Sequence, residues 1–148
     1  MNDKKYLRDG RAPIPIKESV SRVMSSNKDK NTTPELQLRK ALCAKNIKGY
    51  RLHWNKVPGR PDIAFPGKKM AIFVNGCYWH RCPHCKLTLP KSNTSFWKEK
   101  FEKNIERDKR KIEKLKEMNW TVLTVWECQI KIDINKSVEK IKSLWLKN

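Results

Sequence analysis

Apolar and polar positions along this chain switch between helical and strand periods, and the switches mark out its elements. Thr33-Pro34-Glu35 reads as a helix start, with Thr33 as N-cap, Pro34 at the first helical position and an acid in the first turn. Leu36, Leu38, Ala41 and Leu42 continue it as an apolar stripe to about Lys45, and Gly49 marks the exit. Tyr50 to Trp54 alternates and predicts a strand. His53 falls inside it, where a lone histidine is most simply a packed side chain. Val57-Pro58-Gly59-Arg60-Pro61 is a turn, Asp62-Ile63-Ala64-Phe65 opens a second strand, and Lys69 to Val74 is a third, which together predict an antiparallel meander. Phe96 to Met118 predicts a long helix with Trp97, Phe101, Ile105, Ile112 and Leu115 on one face. Glu99–Lys103 and Glu106–Arg110 are i,i+4 pairs on its charged face, whereas Asp108 lies on the apolar stripe, where a carboxylate needs a partner. Trp120 to Trp126 is a β-branched and aromatic run that predicts a buried strand. Ile134, Val138, Ile141 and Trp145 then repeat at helical spacing in a terminal helix. Helix, three strands, helix, strand, helix is an α/β order and predicts a mixed central sheet flanked by helices.

Residues 1–30 break this pattern. Pro13 and Pro15 interrupt any helix, and basic residues outnumber large apolar ones. The segment reads either as a solvated tail or as a basic arm that orders on nucleic acid, preceding a single folded domain over 31–148. Charge changes the picture further. The 148 residues carry a formal net charge of +19 and a pI near 10.0, which points to an anionic partner: nucleic acid first, an anionic membrane surface second. No stretch approaches the ~18 apolar residues of a membrane span, and the N-terminus has no secretory pattern. The expectation is therefore a cytoplasmic protein with reduced thiols, whose five cysteines serve metal binding or chemistry before cross-linking.

Candidate chemistry is concentrated between Phe73 and Cys85. Cys77, Cys82 and Cys85 have C-x4-C-x2-C spacing, and Cys128 ends a strand that can lie beside the one ending at Asn75. The four thiols suit a structural zinc site with no position left for water. His84 is an alternative ligand, and Cys43, on the first helix, reads as a core thiol. Asp62 at a strand end can meet the end of the next strand near Val74-Asn75, where a carboxylate and a backbone carbonyl suit Mg²⁺. His80 is a candidate base. Glu35 can hold a metal-bound water or serve the helix dipole. Tyr78-Trp79 lies between candidate ligand and candidate base, and aromatics of this kind can insert between base pairs. Trp97 fits the core stripe.

Thr33-Pro34-Glu35, Tyr50-Arg51-Leu52-His53, Pro58-Gly59-Arg60-Pro61-Asp62, Phe73-Val74-Asn75-Gly76-Cys77-Tyr78-Trp79-His80, Phe96-Trp97, Asn104-Ile105-Glu106-Arg107-Asp108 and Val125-Trp126-Glu127-Cys128 follow one another in order. In this the chain resembles the very-short-patch-repair (Vsr) DNA mismatch endonucleases, from about Ser21 to Leu146. The resemblance implies a restriction-endonuclease-like fold related to the PD-(D/E)xK nucleases, a structural Zn²⁺, and Mg²⁺-dependent nicking of duplex DNA 5′ to the T of a T:G mismatch left by deamination of 5-methylcytosine. It implies Asp62 and the Val74 carbonyl as Mg²⁺ ligands, His80 as general base, and Glu35 acting through metal-bound water. Tyr78, Trp79 and Trp97 become the wedge beside the mismatch, Arg60 and Asn104 DNA contacts, and the basic segment an arm around the duplex. A monomer suffices for one nick, with mismatch-repair proteins as candidate partners and the nucleoid as the place of work. Two positions depart from the family pattern: Asn75 stands where a histidine is expected beside the Gly-Cys, and Cys82 stands where a histidine binds zinc. Asn75 stays a candidate catalytic residue, since its amide can hydrogen-bond a phosphate or leaving group, but it cannot shuttle a proton at neutral pH. Two other readings therefore stand beside the nickase: a non-catalytic, zinc-stabilised DNA-binding protein, and a nuclease of the same fold with another DNA target.

Overall fold

The computed structural model describes residues 30–148; the expected basic arm lies outside them but for Lys30. Helix α1 (Thr33–Ala44) is capped one residue earlier than expected. Thr32, not Thr33, is the N-cap, and its Oγ accepts from the Glu35 N–H at 3.4 Å. Glu35 reciprocates, accepting from the Thr32 hydroxyl and, at 3.1 Å, from the Asn31 N–H. This exchange satisfies helix-end donors and fixes the Glu35 carboxylate in one place.

Four strands follow: β1 (Arg51–Leu52), β2 (Ile63–Phe65), β3 (Met70–Asn75) and β4 (Thr121–Trp126), in spatial order β1-β2-β3-β4. The first three pair antiparallel as the expected meander. A single-turn 3₁₀ helix, Pro66–Lys68, closes the β2–β3 turn, with Lys69 in the left-handed region. β4 joins parallel to β3, Asn75 opposite Trp126, after a crossover through helix α2 (Thr94–Glu117). A parallel pairing needs such a crossover. Helix α3 (Glu127–Lys147) starts directly at the end of β4 and kinks at Asp133, whose φ of −157° is not helical.

The sheet is covered on both faces, so β3 is buried along its whole length. On one face Ile63, Phe65, Met70, Ile72 and Val74 pack with Leu38 and Leu42 of α1 and Val138 and Ile141 of α3. On the other, Ala64, Ala71 and Phe73 pack with Leu115 of α2 and Trp120. The mixed sheet between helices matches the expected architecture.

Besides the shifted N-cap, three local expectations fail. The strand over Tyr50–Trp54 shrinks to Arg51–Leu52, because His53 takes a φ of +47° and leaves the extended region. Ile105 is 47% exposed, since α2 turns Asn104 and Asp108 inward instead. Cys43 is exposed rather than a core thiol. The Val57–Pro61 turn carries Gly59 at φ +82°, and a Cβ there would lie 2.8 Å from Lys111 Cβ. Gly59→Ala is therefore expected to cost about 1–3 kcal/mol of unfolding free energy from backbone strain and collision. A denaturant titration reads this, and an unchanged midpoint would contradict it.

Candidate active site and thiol cluster

A cleft of about 740 Å³ opens where the first turn of α1, the segment before β2 and the end of β3 meet. Asp62 stands just ahead of β2, and its Oδ2 accepts a hydrogen bond from the Val74 N–H at 2.8 Å, which ties the carboxylate to the neighbouring strand. Its side chain is 17% exposed. Burial pushes its pKa up to about 6; the Val74 N–H bond opposes this, Glu35 adds to the rise, and the nearby His80 and Lys111 side chains moderate it. Glu35, 3% exposed, reaches the same cleft from α1.

His53 stands between the two carboxylates. Its Nε2 is 3.6 Å from Glu35 Oε2 and its Nδ1 is 3.8 Å from Asp62 Oδ1. Ligand atoms of Glu35, His53 and Asp62 all fall within 4.8 Å of one another. The packed-strand reading of His53 is thus corrected: its left-handed backbone ends β1 and leaves the ring in the cleft. No periodicity in the sequence carries that turn; only the residue type hinted at it. Two neighbouring carboxylates, Glu35 buried and Asp62 largely so, repel and lose hydration, and a bound divalent cation relieves both costs, so the donor set fits such an ion.

The inward face of α2 reads Trp97, Phe101, Asn104, Asp108, Lys111 and Leu115 at i+3 and i+4 steps. Its polar members serve the cleft. Asp108 Oδ2 lies 2.6 Å from His80 Nδ1, so the carboxylate on the apolar stripe has found its partner. Asn104 donates to the Trp79 carbonyl at 3.1 Å. Lys111 lines the cleft and approaches Asp108 Oδ1 at 4.0 Å. Lys111 and Asp108 carried no site assignment from sequence, although polar residues at inward helical positions are the signal that finds them.

Tyr78 and Trp79 also line the cleft. Tyr78 is 40% exposed and meets Trp79 and Phe101 edge-on, at 5.1 and 5.4 Å between centroids. Trp97 is 8% exposed and lies 5.8 Å from Trp79, so it backs Trp79 rather than standing free. The Arg81 guanidinium sits 4.3 Å from the centre of the Phe101 ring, a cation–π contact that supports the cluster. Arg60 is exposed on the cleft wall with φ +48°. Asn75 is nearly buried at the end of β3 and lines a small neighbouring cavity with Asp108, Lys111 and Thr124, outside the main cleft.

The sulfurs of Cys77, Cys82, Cys85 and Cys128 lie within 4.8 Å of one another. Cys82 and Cys128 are 3.7 Å apart, close to the ~3.8 Å edge of a tetrahedron with 2.3 Å metal–sulfur bonds. Backbone N–H groups already point at sulfur: Cys128 to Cys77 at 3.2 Å and His84 to Cys82 at 3.4 Å. Burial raises the Cys77 thiol's pKa well above its usual value. For Cys82, burial is outweighed by hydrogen bonds from the His84 N–H and neighbouring thiols, and its pKa falls. The cluster joins the loop after β3 to the first turn of α3. His84 itself is exposed and its ring is not among the clustered donors.

Comparison with known proteins identifies the family of the chain. Residues 14–87 match the family model described as DNA mismatch endonuclease Vsr. The chain is 37% identical to the DNA mismatch endonuclease Vsr of Escherichia coli, over 81% of this chain and 76% of that one. It is 39% identical to the type II nicking enzyme V.XorIIP of Xanthomonas oryzae, over 73% of this chain and 79% of that one. Among solved structures, the catalytic domain of the homing endonuclease I-Bth0305I superposes with a TM-score of 0.53 at 27% identity, covering 79% of this chain and 97% of that domain.

Proposed function

The chain belongs to the Vsr family of DNA mismatch endonucleases, and on that premise we propose that it nicks one strand of duplex DNA 5′ to the T of a T:G mismatch, using Mg²⁺ for catalysis and Zn²⁺ for structure. It is a DNA endonuclease with a restriction-endonuclease-like fold. The observation that carries the finer reading is the convergence of Glu35, Asp62 and His80 in one cleft whose lining includes Tyr78 and Trp79.

Asp62 and Glu35 offer carboxylate oxygens, the donors Mg²⁺ prefers. The Val74 carbonyl leaves β3 on the same side as the N–H that binds Asp62, since both groups of an extended residue face one neighbour. Mg²⁺, when bound by these residues, would supply charge neutralisation at the scissile phosphate and would acidify water. Asp108 accepts from the His80 Nδ1–H, which leaves the Nε2 lone pair free to take the proton of the attacking water. Tyr78 and Trp79 wedge into the stack beside the mismatch; Trp97 backs them, and Asn104 acts through the Trp79 carbonyl. Arg60, with Lys30 and Lys111 nearby, offers positive charge to DNA phosphates. Asn75, set against Asp108, is assigned a positioning part rather than a proton-transfer one. The zinc ligands are Cys77, Cys82, Cys85 and Cys128, the four clustered thiols. The chain works as a monomer on DNA in the cytoplasm, nucleoid-associated, with mismatch-repair proteins as candidate partners; no described helix is long and apolar enough to cross a membrane.

Asp108→Asn should lower the single-turnover nicking rate roughly 10²–10⁴-fold, because the amide can donate to Nδ1 and hold the wrong tautomer of His80. Unaltered nicking would remove the Asp108–His80 pair from the mechanism. The function itself is tested by comparing T:G and T:A duplexes with Mg²⁺. Nicking confined to T:G supports the reading. Equal nicking of both favours a same-fold nuclease with another target, a reading that the likeness to a homing endonuclease domain keeps in play.

A further inference from the structure

We propose that His53 is a direct nitrogen ligand of the cation at the Asp62 site, which makes that site favour Mn²⁺ over Mg²⁺. The inference rests on the proposed metal-dependent nuclease reading and adds a donor to it.

Three observations carry it. First, the ring lies between two carboxylates, with Nε2 3.6 Å from Glu35 Oε2 and Nδ1 3.8 Å from Asp62 Oδ1. One ligand atom from each of the three residues lies within 4.8 Å of the others, near the ~4 Å that donors bonded to one ion at about 2.0–2.2 Å can span. Second, both carboxylates are held in place from outside the cluster: Glu35 by the Asn31 N–H and Thr32, Asp62 by the Val74 N–H. A donor set fixed by its surroundings is preorganised for an ion rather than for mutual contact. Third, His53 takes a left-handed backbone conformation at the end of β1, while its own N–H bonds the Asp62 carbonyl at 3.1 Å. The backbone thereby locks the imidazole to the segment that carries Asp62. Among the described residues, the ring's remaining polar contact, Asn31 Oδ1 at 3.4 Å from Nε2, is an exposed one.

The chemistry follows from donor type. Mg²⁺ binds hard oxygens in octahedral geometry and gains little from imidazole, whereas Mn²⁺, although also oxygen-preferring, is a first-row transition ion that gains more from one imidazole nitrogen than Mg²⁺ does. Mn²⁺ also leaves the soft four-thiol cluster alone, so it reports on this site selectively.

The test uses the full chain with its zinc retained, and Mn²⁺ as probe, by pulsed electron paramagnetic resonance and competition against Mg²⁺. Wild type should show a directly bound ¹⁴N coupling. His53→Gln should lose it, and its preference for Mn²⁺ over Mg²⁺ should fall by about tenfold or more. His80→Gln should keep the coupling. Zinc content and circular dichroism confirm that the variants are folded, and His53→Asn serves if the glutamine variant is not. A ¹⁴N signal that persists without His53, or its absence from Mn²⁺-loaded wild type, overturns the proposal. If Asp62→Asn leaves Mn²⁺ binding intact, the nuclease-site reading fails instead, and the two failures are distinguishable.

Discussion

Asp62→Asn should abolish Mg²⁺-dependent nicking and, at the same time, make the protein more stable at neutral pH in buffer without Mg²⁺. The loss of activity follows from removing the carboxylate that anchors the cation, while the aromatic cluster, the basic residues and DNA binding are untouched. The gain in stability follows from burial, which lifts the Asp62 pKa from 3.8 to about 6, with the Val74 N–H opposing and Glu35 assisting. The folded chain holds this proton more tightly than the unfolded one. Below about pH 4 both states are protonated and nothing is lost. As pH rises from about 4 through 6 the unfolded chain ionises first, and stability falls. Above pH 6 the cost is complete, at about 3 kcal/mol. An asparagine keeps an oxygen to accept from Val74 and carries no charge. Its advantage in urea unfolding should therefore approach 3 kcal/mol at pH 7.5 and shrink as pH falls. An Asp62→Asn variant that is no more stable than wild type at pH 7.5 would contradict this account of the cleft.

Losing the thiol cluster should be the most damaging structural change. Cys82→Ser removes one of four buried or half-buried donors that tie the loop after β3 to the start of α3. Loss of a structural metal belongs among the largest single-site effects, on the order of 4–5 kcal/mol, or roughly 10–20 °C in Tm for a chain of this size. Because Tyr78, Trp79 and His80 stand inside that loop, nicking and T:G binding should fall together with stability. Metal analysis should find about one zinc per wild-type chain and none in Cys82→Ser. His84→Ala should keep its zinc, since the exposed ring stands outside the cluster. A zinc-free wild type that folds normally would refute the four-thiolate site.

What the sequence made legible follows from how local each signal is. The chemistry between Phe73 and Cys85 is contiguous, and a strand running into clustered cysteines can be read as such; only Cys128 had to be brought in across the sheet, and the parallel pairing of β3 with β4 does so. Asp108 was legible as an anomaly, an acid on an apolar stripe, but its partner was not, because His80 comes from another element. Ile105 misled for a related reason. Hydrophobicity alone assigned it to the core, while the helix rotates to send Asn104 and Asp108 inward. His53 was the largest miss. Its place in the cleft depends on a positive φ at a strand end, which tertiary pairing with the Asp62 segment sets and no local pattern reports. Asn75 looked like part of the chemistry by its position in the motif, yet strand alternation turns it to the α2 side of the sheet, against Asp108 and Lys111.

The central claim, a metal-dependent nick directed by a mismatch, is tested most directly by mapping cleavage on one end-labelled duplex that carries a single T:G pair, beside its T:A counterpart, with zinc-loaded protein and Mg²⁺. The account predicts one nick, on the T strand and 5′ to the mismatched T, absent from the T:A duplex and absent with Asp62→Asn. No nick from zinc-loaded wild type, or equal cleavage of the matched duplex, would contradict it.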